Sequence, residues 1–204
     1  MNYASDEKLK IIQWLAPRLE EGQILAAELP FKNVSRKADI AIISPKVLSA
    51  IEVKGPRDNL DGLAQQMEDY ERSFLEVHLA LAPIHYHSAK KLVRPSVGLI
   101  ELSAEGAKMR RKARTKQFLA SLDAADWLRT GDLARLLGPQ SRALGIQSAR
   151  KLAIAETSRS KLTAAALEAA YRKALSRYNA FVAERGEFLT LDDVAMLELP
   201  TRIR

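Results

Sequence analysis

Ala38-Asp39-Ile40-Ala41-Ile42-Ile43, then Ser44-Pro45-Lys46, then Val47-Leu48-Ser49-Ala50-Ile51-Glu52-Val53-Lys54 is the stretch from which the fold is read. β-Branched residues are frequent in both arms and the segment between them is turn-like, so the arms are expected to pair as antiparallel strands. Ile24–Phe31, just upstream, has the same strand character and extends the pair to a meander of three. Side chains alternate across a strand, which puts Glu52 and Lys54 on one side and Ile51 and Val53 on the other. Asp39 and Glu52 lie at similar distances from the turn near Pro45, so pairing brings two carboxylates and an ammonium together.

Outward from this core, residues 5–21 form an amphipathic helix, with Ser5 as its expected cap, Leu9, Ile12 and Leu15 on one face, Pro17 as a kink and Gly22 as a stop. Leu60, Leu63, Met67, Tyr70 and Phe74 recur at helical spacing over residues 60–74. A strand over Glu76–Ala82, a short helix near Ser88–Val93 and a strand over Val97–Leu102 follow. The expected class is α/β, an αβββαβ core with a mixed central sheet. Residues 1–104 are assigned to this domain and residues 105–204 to a basic helical region. In the second region the spacing predicts helices through Lys108–Arg114, Phe118–Leu122, Gly131–Leu137, Ala149–Ile154 and Lys161–Phe181, broken at Gly138-Pro139 and Gly145 and ending at Gly186. Gly131–Leu137 and Ala149–Ile154 faintly suggest a helix-turn-helix, although the joining segment is long for one.

Composition narrows the function classes. With 47% hydrophobic and 28% charged residues the chain is ordinary for a globular protein, and no apolar run approaches the roughly 20 residues a membrane helix needs. The N-terminus has no export pattern, so a cytoplasmic location is expected. There are no cysteines, which removes disulfides and thiolate metal sites and leaves hard oxygen ligands and three histidines. The net charge of +7 is uneven: residues 1–104 hold 13 Lys/Arg against 14 Asp/Glu, and residues 105–204 hold 19 against 11. A basic half points to a polyanionic partner, first of all nucleic acid.

Two carboxylates, Asp39 and Glu52, beside Lys54 suit phosphodiester hydrolysis. Mg²⁺, or Mn²⁺ in its place, held by the carboxylates and by the Val53 carbonyl would polarise the phosphate, and Lys54 would orient the attacking water and offset developing charge. Arg36 and Lys37 stand beside Asp39, where they are candidates to neutralise phosphate. Lys108, Arg110, Arg111, Lys112 and Arg114 are candidates to follow a phosphate backbone. Asp58 is expected to cap the helix beginning near Leu60. His85-Tyr86-His87 has strand-like spacing for a metal pair but no third His or Cys nearby in sequence, so no metal is assigned to it. Trp14 and Trp127 read as core.

The helix, the strand, Arg36-Lys37-Ala38-Asp39-Ile40, Ile51-Glu52-Val53-Lys54-Gly55 and the next helix together resemble the PD-(D/E)XK nuclease superfamily. Within it the chain is most similar to a Sce-type, locus-named group of small bacterial and prophage proteins. The likeness includes Arg57-Asp58-Asn59-Leu60, Gln66-x3-Tyr70, His87, Ala89–Leu92, Pro95 and Gly98, and covers residues 20–102 best. It implies a restriction-endonuclease-like fold, Mg²⁺ dependence, DNA ahead of RNA as substrate, Glu28 (in preference to Glu20 or Glu21) as a further site acid, and Gln66 as a helix residue reaching toward the metal. Two rivals stand beside this: a non-catalytic nucleic-acid-binding module that keeps the fold, and a factor whose helical half binds a phage or host protein. A homodimer is left open.

Overall fold

The computed structural model describes residues 3–32 and 34–200. Helix α1 (Tyr3–Leu15) ends in a 3₁₀ turn, Ala16–Arg18, because Pro17 cannot continue the helix; the side chain of Ser5, its expected cap, lies outside the described residues. Strands β1 (Ile24–Phe31), β2 (Arg36–Ile43) and β3 (Leu48–Lys54) form the antiparallel meander. Helix α2 (Leu63–Ser73) leads to β4 (Glu76–Leu81), and helix α3 (Pro83–Leu92) to β5 (Gly98–Ser103). Both crossovers are parallel, so the sheet is mixed, in the order β1-β2-β3-β4-β5-β6. The expected αβββαβ order is therefore present, with a further αβ unit.

The sixth strand corrects the sequence reading of the basic run. Gly106, at φ 119°, turns the chain back after Ser103, and β6 (Gly106–Arg111) pairs antiparallel with β5 where a helix was expected. Ala107 and Met109 pack against the core on alternate positions, a period of two hidden in sequence by the surrounding charges. The sheet thus continues past residue 104, to Arg111.

Helices α4 (Ser121–Asp126), α5 (Thr130–Leu137), α6 (Ile146–Glu156), α7 (Arg159–Glu184) and α8 (Leu191–Leu197) follow. A 3₁₀ segment, Pro139–Ala143, lies between α5 and α6, in place of a tight turn. Two apolar clusters cover the sheet. One joins α2, Trp127, Leu133 and the buried stripe of α7 to Leu29, Ala41, Ala50 and Leu79. The other joins Ile11, Ile12, Val194 and Leu197 of α1 and α8 to Leu25, Ile40, Ile51 and Ile100. The C-terminal helices therefore share the core of the sheet. The edge of β1 is closed by a bridge from Ala27 to Glu198 and by the Leu199 N–H donating to the Ala27 carbonyl at 3.0 Å. Gly98 is required by packing, since a Cβ there would fall 2.2 Å from the ring of buried His78.

Candidate functional site

The register of the meander sets three carboxylates on one rung. Ile40–Ile51 is the last pair of the β2–β3 ladder, and Asp39 and Glu52 are the residues next to it on the two strands; Glu28 and Asp39 lie between the pairs Ala27–Ile40 and Leu29–Ala38. Strict alternation breaks here. Ala27 and Ile40 belong to the α1-side core, whereas Leu29 and Ala38, each two residues away, belong to the α2-side core. Glu28 adopts φ 51°, in the left-handed region that a side chain seldom takes, consistent with a local change of strand direction at this rung.

Each acid has named partners. Glu52 is almost wholly buried; Lys54 Nζ donates to its Oε1 at 2.8 Å and the Tyr70 hydroxyl to its Oε2 at 2.6 Å. Burial, and then the Asp39 charge, raise the Glu52 pKa against the opposing pull of Lys54 and Tyr70. Asp39 accepts the Val53 N–H at 2.9 Å and lies 3.0 Å from Lys8 Nζ. Glu28 binds Lys8 through one oxygen and Lys37, at 3.2 Å, through the other. Burial opposes the charge on Lys8, but Asp39 and Glu28 outweigh it and raise its pKa. Burial likewise opposes ionisation of Glu28, and Lys8 and Lys37 outweigh it and lower its pKa.

Several expected members are in place. Asp39, Glu52, Lys54 and Glu28 are brought together, Lys37 reaches Glu28, and the exposed Glu20 and Glu21 precede β1, away from that rung. Val53 offers its N–H to Asp39, and in an extended strand its carbonyl faces the same side. Others are used differently. Arg36 donates to Asp69 of α2 at 3.0 Å, which removes it from the carboxylates. Gln66 is half-buried and has no hydrogen bond to the site among the described residues; Tyr70, one turn further along α2, makes that contact. Asp58 accepts the Gly55 N–H at 2.7 Å and closes the turn after β3, while α2 starts from Gly62, so the expected cap is corrected. His85 and His87 lie in α3 and not in a strand; His85 Nε2 approaches the Gly55 carbonyl at 3.1 Å and His87 is exposed. Trp127 is core, with its indole donating to Ser73 O at 2.9 Å, and Trp14 is half-buried beneath Arg18.

Sequence reasoning missed Lys8 and the role of Tyr70. Lys8 sits one position before Leu9 of the apolar stripe, so nothing local marks it as facing the strands. The signal for Tyr70 was its spacing on the buried face of α2.

The basic run keeps part of its expected geometry in strand form. Pairing places Lys54, Leu81, Glu101 and Lys108 on one rung across four strands. Ala107 and Met109 face the α1-side core, so Lys108 and Arg110 lie on the same sheet face as Lys54, three interstrand spacings or about 14 Å away. Lys108, Arg110, Lys112 and Arg114 are exposed. Arg111 points elsewhere and donates to the Val97 and Arg94 carbonyls, and Arg110 is paired with Glu101 at 2.6 Å.

The donor set of the site is all oxygen, the kind that suits Mg²⁺ or Mn²⁺. Among the described residues no group of three or more His, Cys, Asp or Glu side chains is arranged to hold a metal ion alone. Mg²⁺ is commonly held by one or two carboxylates with waters and substrate phosphate, so Asp39, Glu52 and the Val53 carbonyl form a chemically suitable set.

Comparison with known proteins places the chain in a phage family. Residues 2–197 match the family described as Bacteriophage P4 protein cII, and the chain belongs to that family. A curated relative, protein cII of Enterobacteria phage P4, is 32% identical over 107 residues, which is 52% of this chain and 40% of the relative's length. Among solved structures, the SPO1766 protein of unknown function from Silicibacter pomeroyi matches with a TM-score of 0.46 and 18% identity over 76% of this chain and 93% of its own; this likeness bears on neither function nor residue roles. No described helix is long and apolar enough to cross a membrane.

Proposed function

We propose that this protein is a divalent-metal-dependent phosphodiesterase acting on DNA, a nuclease of the PD-(D/E)XK kind. The observation that carries the reading is the proximity of Asp39 and Glu52 beyond the last pair of β2 and β3, with Lys54 on the buried Glu52 and the Val53 main chain beside Asp39. A divalent cation held there would supply Lewis acidity toward the scissile phosphate and lower the pKa of a water. Lys54 would orient the attacking water and offset charge developing on the phosphorane. Tyr70 fixes the Glu52 carboxylate, and burial together with the Glu52 charge raises its own pKa so far that it stays a hydrogen-bond donor. Lys8 must give up Asp39 for the cation to be fully liganded.

A second reading rests on that same lysine. Lys8, Lys37 and Lys54 already neutralise the three acids, as they would in a module that keeps the fold and binds nucleic acid or a phage or host protein without cutting. The purified protein, incubated with labelled single-stranded, double-stranded and branched DNA and RNA in Mg²⁺, Mn²⁺ or EDTA, separates the two. Metal-dependent cleavage lost in Asp39→Ala supports the nuclease. Binding without cleavage in any metal overturns it in favour of the module.

A further inference from the structure

A cavity of about 660 Å³ lies between the end of β1, helices α4 and α5, and α7, lined in part by Phe31 and Trp127. Five cations reach it: Arg129, Arg135, Arg172, Lys173 and Arg177. Two carboxylates answer them, and both are already engaged. Asp132 takes Arg172 at 2.7 Å, Arg135 at 3.3 Å and the Arg129 N–H at 2.9 Å, while Asp126 lies 3.4 Å from Arg150. Arg129, Lys173 and Arg177 have no carboxylate within ion-pair distance among the described residues. Lys173 donates to the Pro30 carbonyl at 3.2 Å.

We propose that this cavity is a phosphate-ester site, in which Arg129, Lys173 and Arg177 hold the phosphate and the Phe31–Trp127 wall meets the group it is attached to. A small multidentate anion answers several cations at once, and guanidinium forks match phosphate oxygens. An apolar wall beside the cations favours an ester over a bare ion. Burial and the nearby Arg129 pull the Lys173 pKa down to about 8, so an anion placed beside it would favour its charged form. The site does not depend on hydrolysis at Asp39.

Trp127 reports occupancy. The chain has two tryptophans, so Trp14→Phe leaves Trp127 as the sole indole. This protein, in EDTA to stop any hydrolysis, is titrated with inorganic phosphate, thymidine 5′-monophosphate, and oligothymidylate with and without a 5′-phosphate, against chloride at matched ionic strength. Saturable change in Trp127 emission is expected with the phosphate compounds and not with chloride. Lys173→Met with Arg177→Ser weakens it at least tenfold, and Arg177→Ser alone, at an exposed position, about threefold. A 5′-phosphorylated strand binding tenfold tighter than the monophosphate assigns the site to a strand end; equal affinity assigns it to a free nucleotide. No saturable change, the same change with chloride, or full affinity in both variants overturns the site.

Discussion

Two clusters of charge in this molecule have opposite balances. On the rung of β1, β2 and β3, three acids meet three lysines and nearly every charged oxygen has a partner. In the cavity between β1, α5 and α7 the cations outnumber the acids, and three of them face no carboxylate among the described residues. A compensated cluster can be poised for chemistry in which one partner is exchanged for a cation. An uncompensated one is poised to receive an anion. The difference shows that the basic character of the second half of the sequence is concentrated structurally, with one part in a cavity and another along the edge strand β6.

The largest effect should come from breaking the compensated cluster at its acids. Asp39→Ala and Glu52→Gln should each lower metal-dependent cleavage by at least about a thousandfold in a labelled-DNA assay, on the scale of losing a transition-state contact. Because burial and Asp39 already disfavour the Glu52 anion, metal-free Glu52→Gln should melt no lower than the parent; a clear fall would make Glu52 a structural anion. Lys54→Ala should reduce turnover far more than DNA affinity, and equal losses in both would contradict its assigned role.

Removing the internal cation tests the balance itself. Lys8→Met leaves Asp39 and Glu28 facing each other with less positive charge, which should cost about 1–3 kcal/mol in EDTA. Mn²⁺ should restore much of this loss in thermal melts of the variant. An equal loss with and without Mn²⁺ would make Lys8 a packing residue unrelated to the cation.

The two lysines also differ in pH dependence. Lys173 loses its proton near pH 8 in the folded protein and near 10.5 unfolded, so between these values the unfolded chain binds more protons and stability rises with pH. Lys8 is raised instead; its contribution is complete below 10.5 and is lost above it. Urea titrations across pH 7.5–10 should show the Lys173 rise, and Lys173→Met should flatten it. The smallest effect concerns β6. If Lys108, Arg110, Lys112 and Arg114 meet phosphates, DNA binding should fall with salt at a log-log slope of roughly −3 to −4. Reversing Lys108 and Lys112 to Glu should flatten that slope, and an unchanged slope would leave them a solvated edge.

The meander and the grouping of its charged residues were legible because both follow from local rules. Alternation put Glu52 beside Lys54, and counting from Pro45 put Asp39 opposite Glu52. What was not legible depended on partners distant in sequence. Lys8 owes its place to the packing of α1 on the sheet, and Arg36 was drawn away by Asp69 on α2. The basic run was misread because five charges in seven residues mask a period of two, and Gly106, which turns the chain into β6, stands outside that run. The cavity cations come from two distant segments, Arg129 and Arg135 at α5 and Arg172, Lys173 and Arg177 on α7, which only the fold brings together.

Ala27, one residue before Glu28, is held by Glu198 and Leu199. A contact of such sequence separation forms late, since closing a long loop costs entropy before the pairing returns any free energy. During synthesis, the strand that carries Glu28 must wait with one edge open until residue 199 has left the ribosome. The edge of β1 beside Glu28 is therefore the kind of region that matures last: a nascent chain would display the meander well before that edge is covered, at a time set by translation.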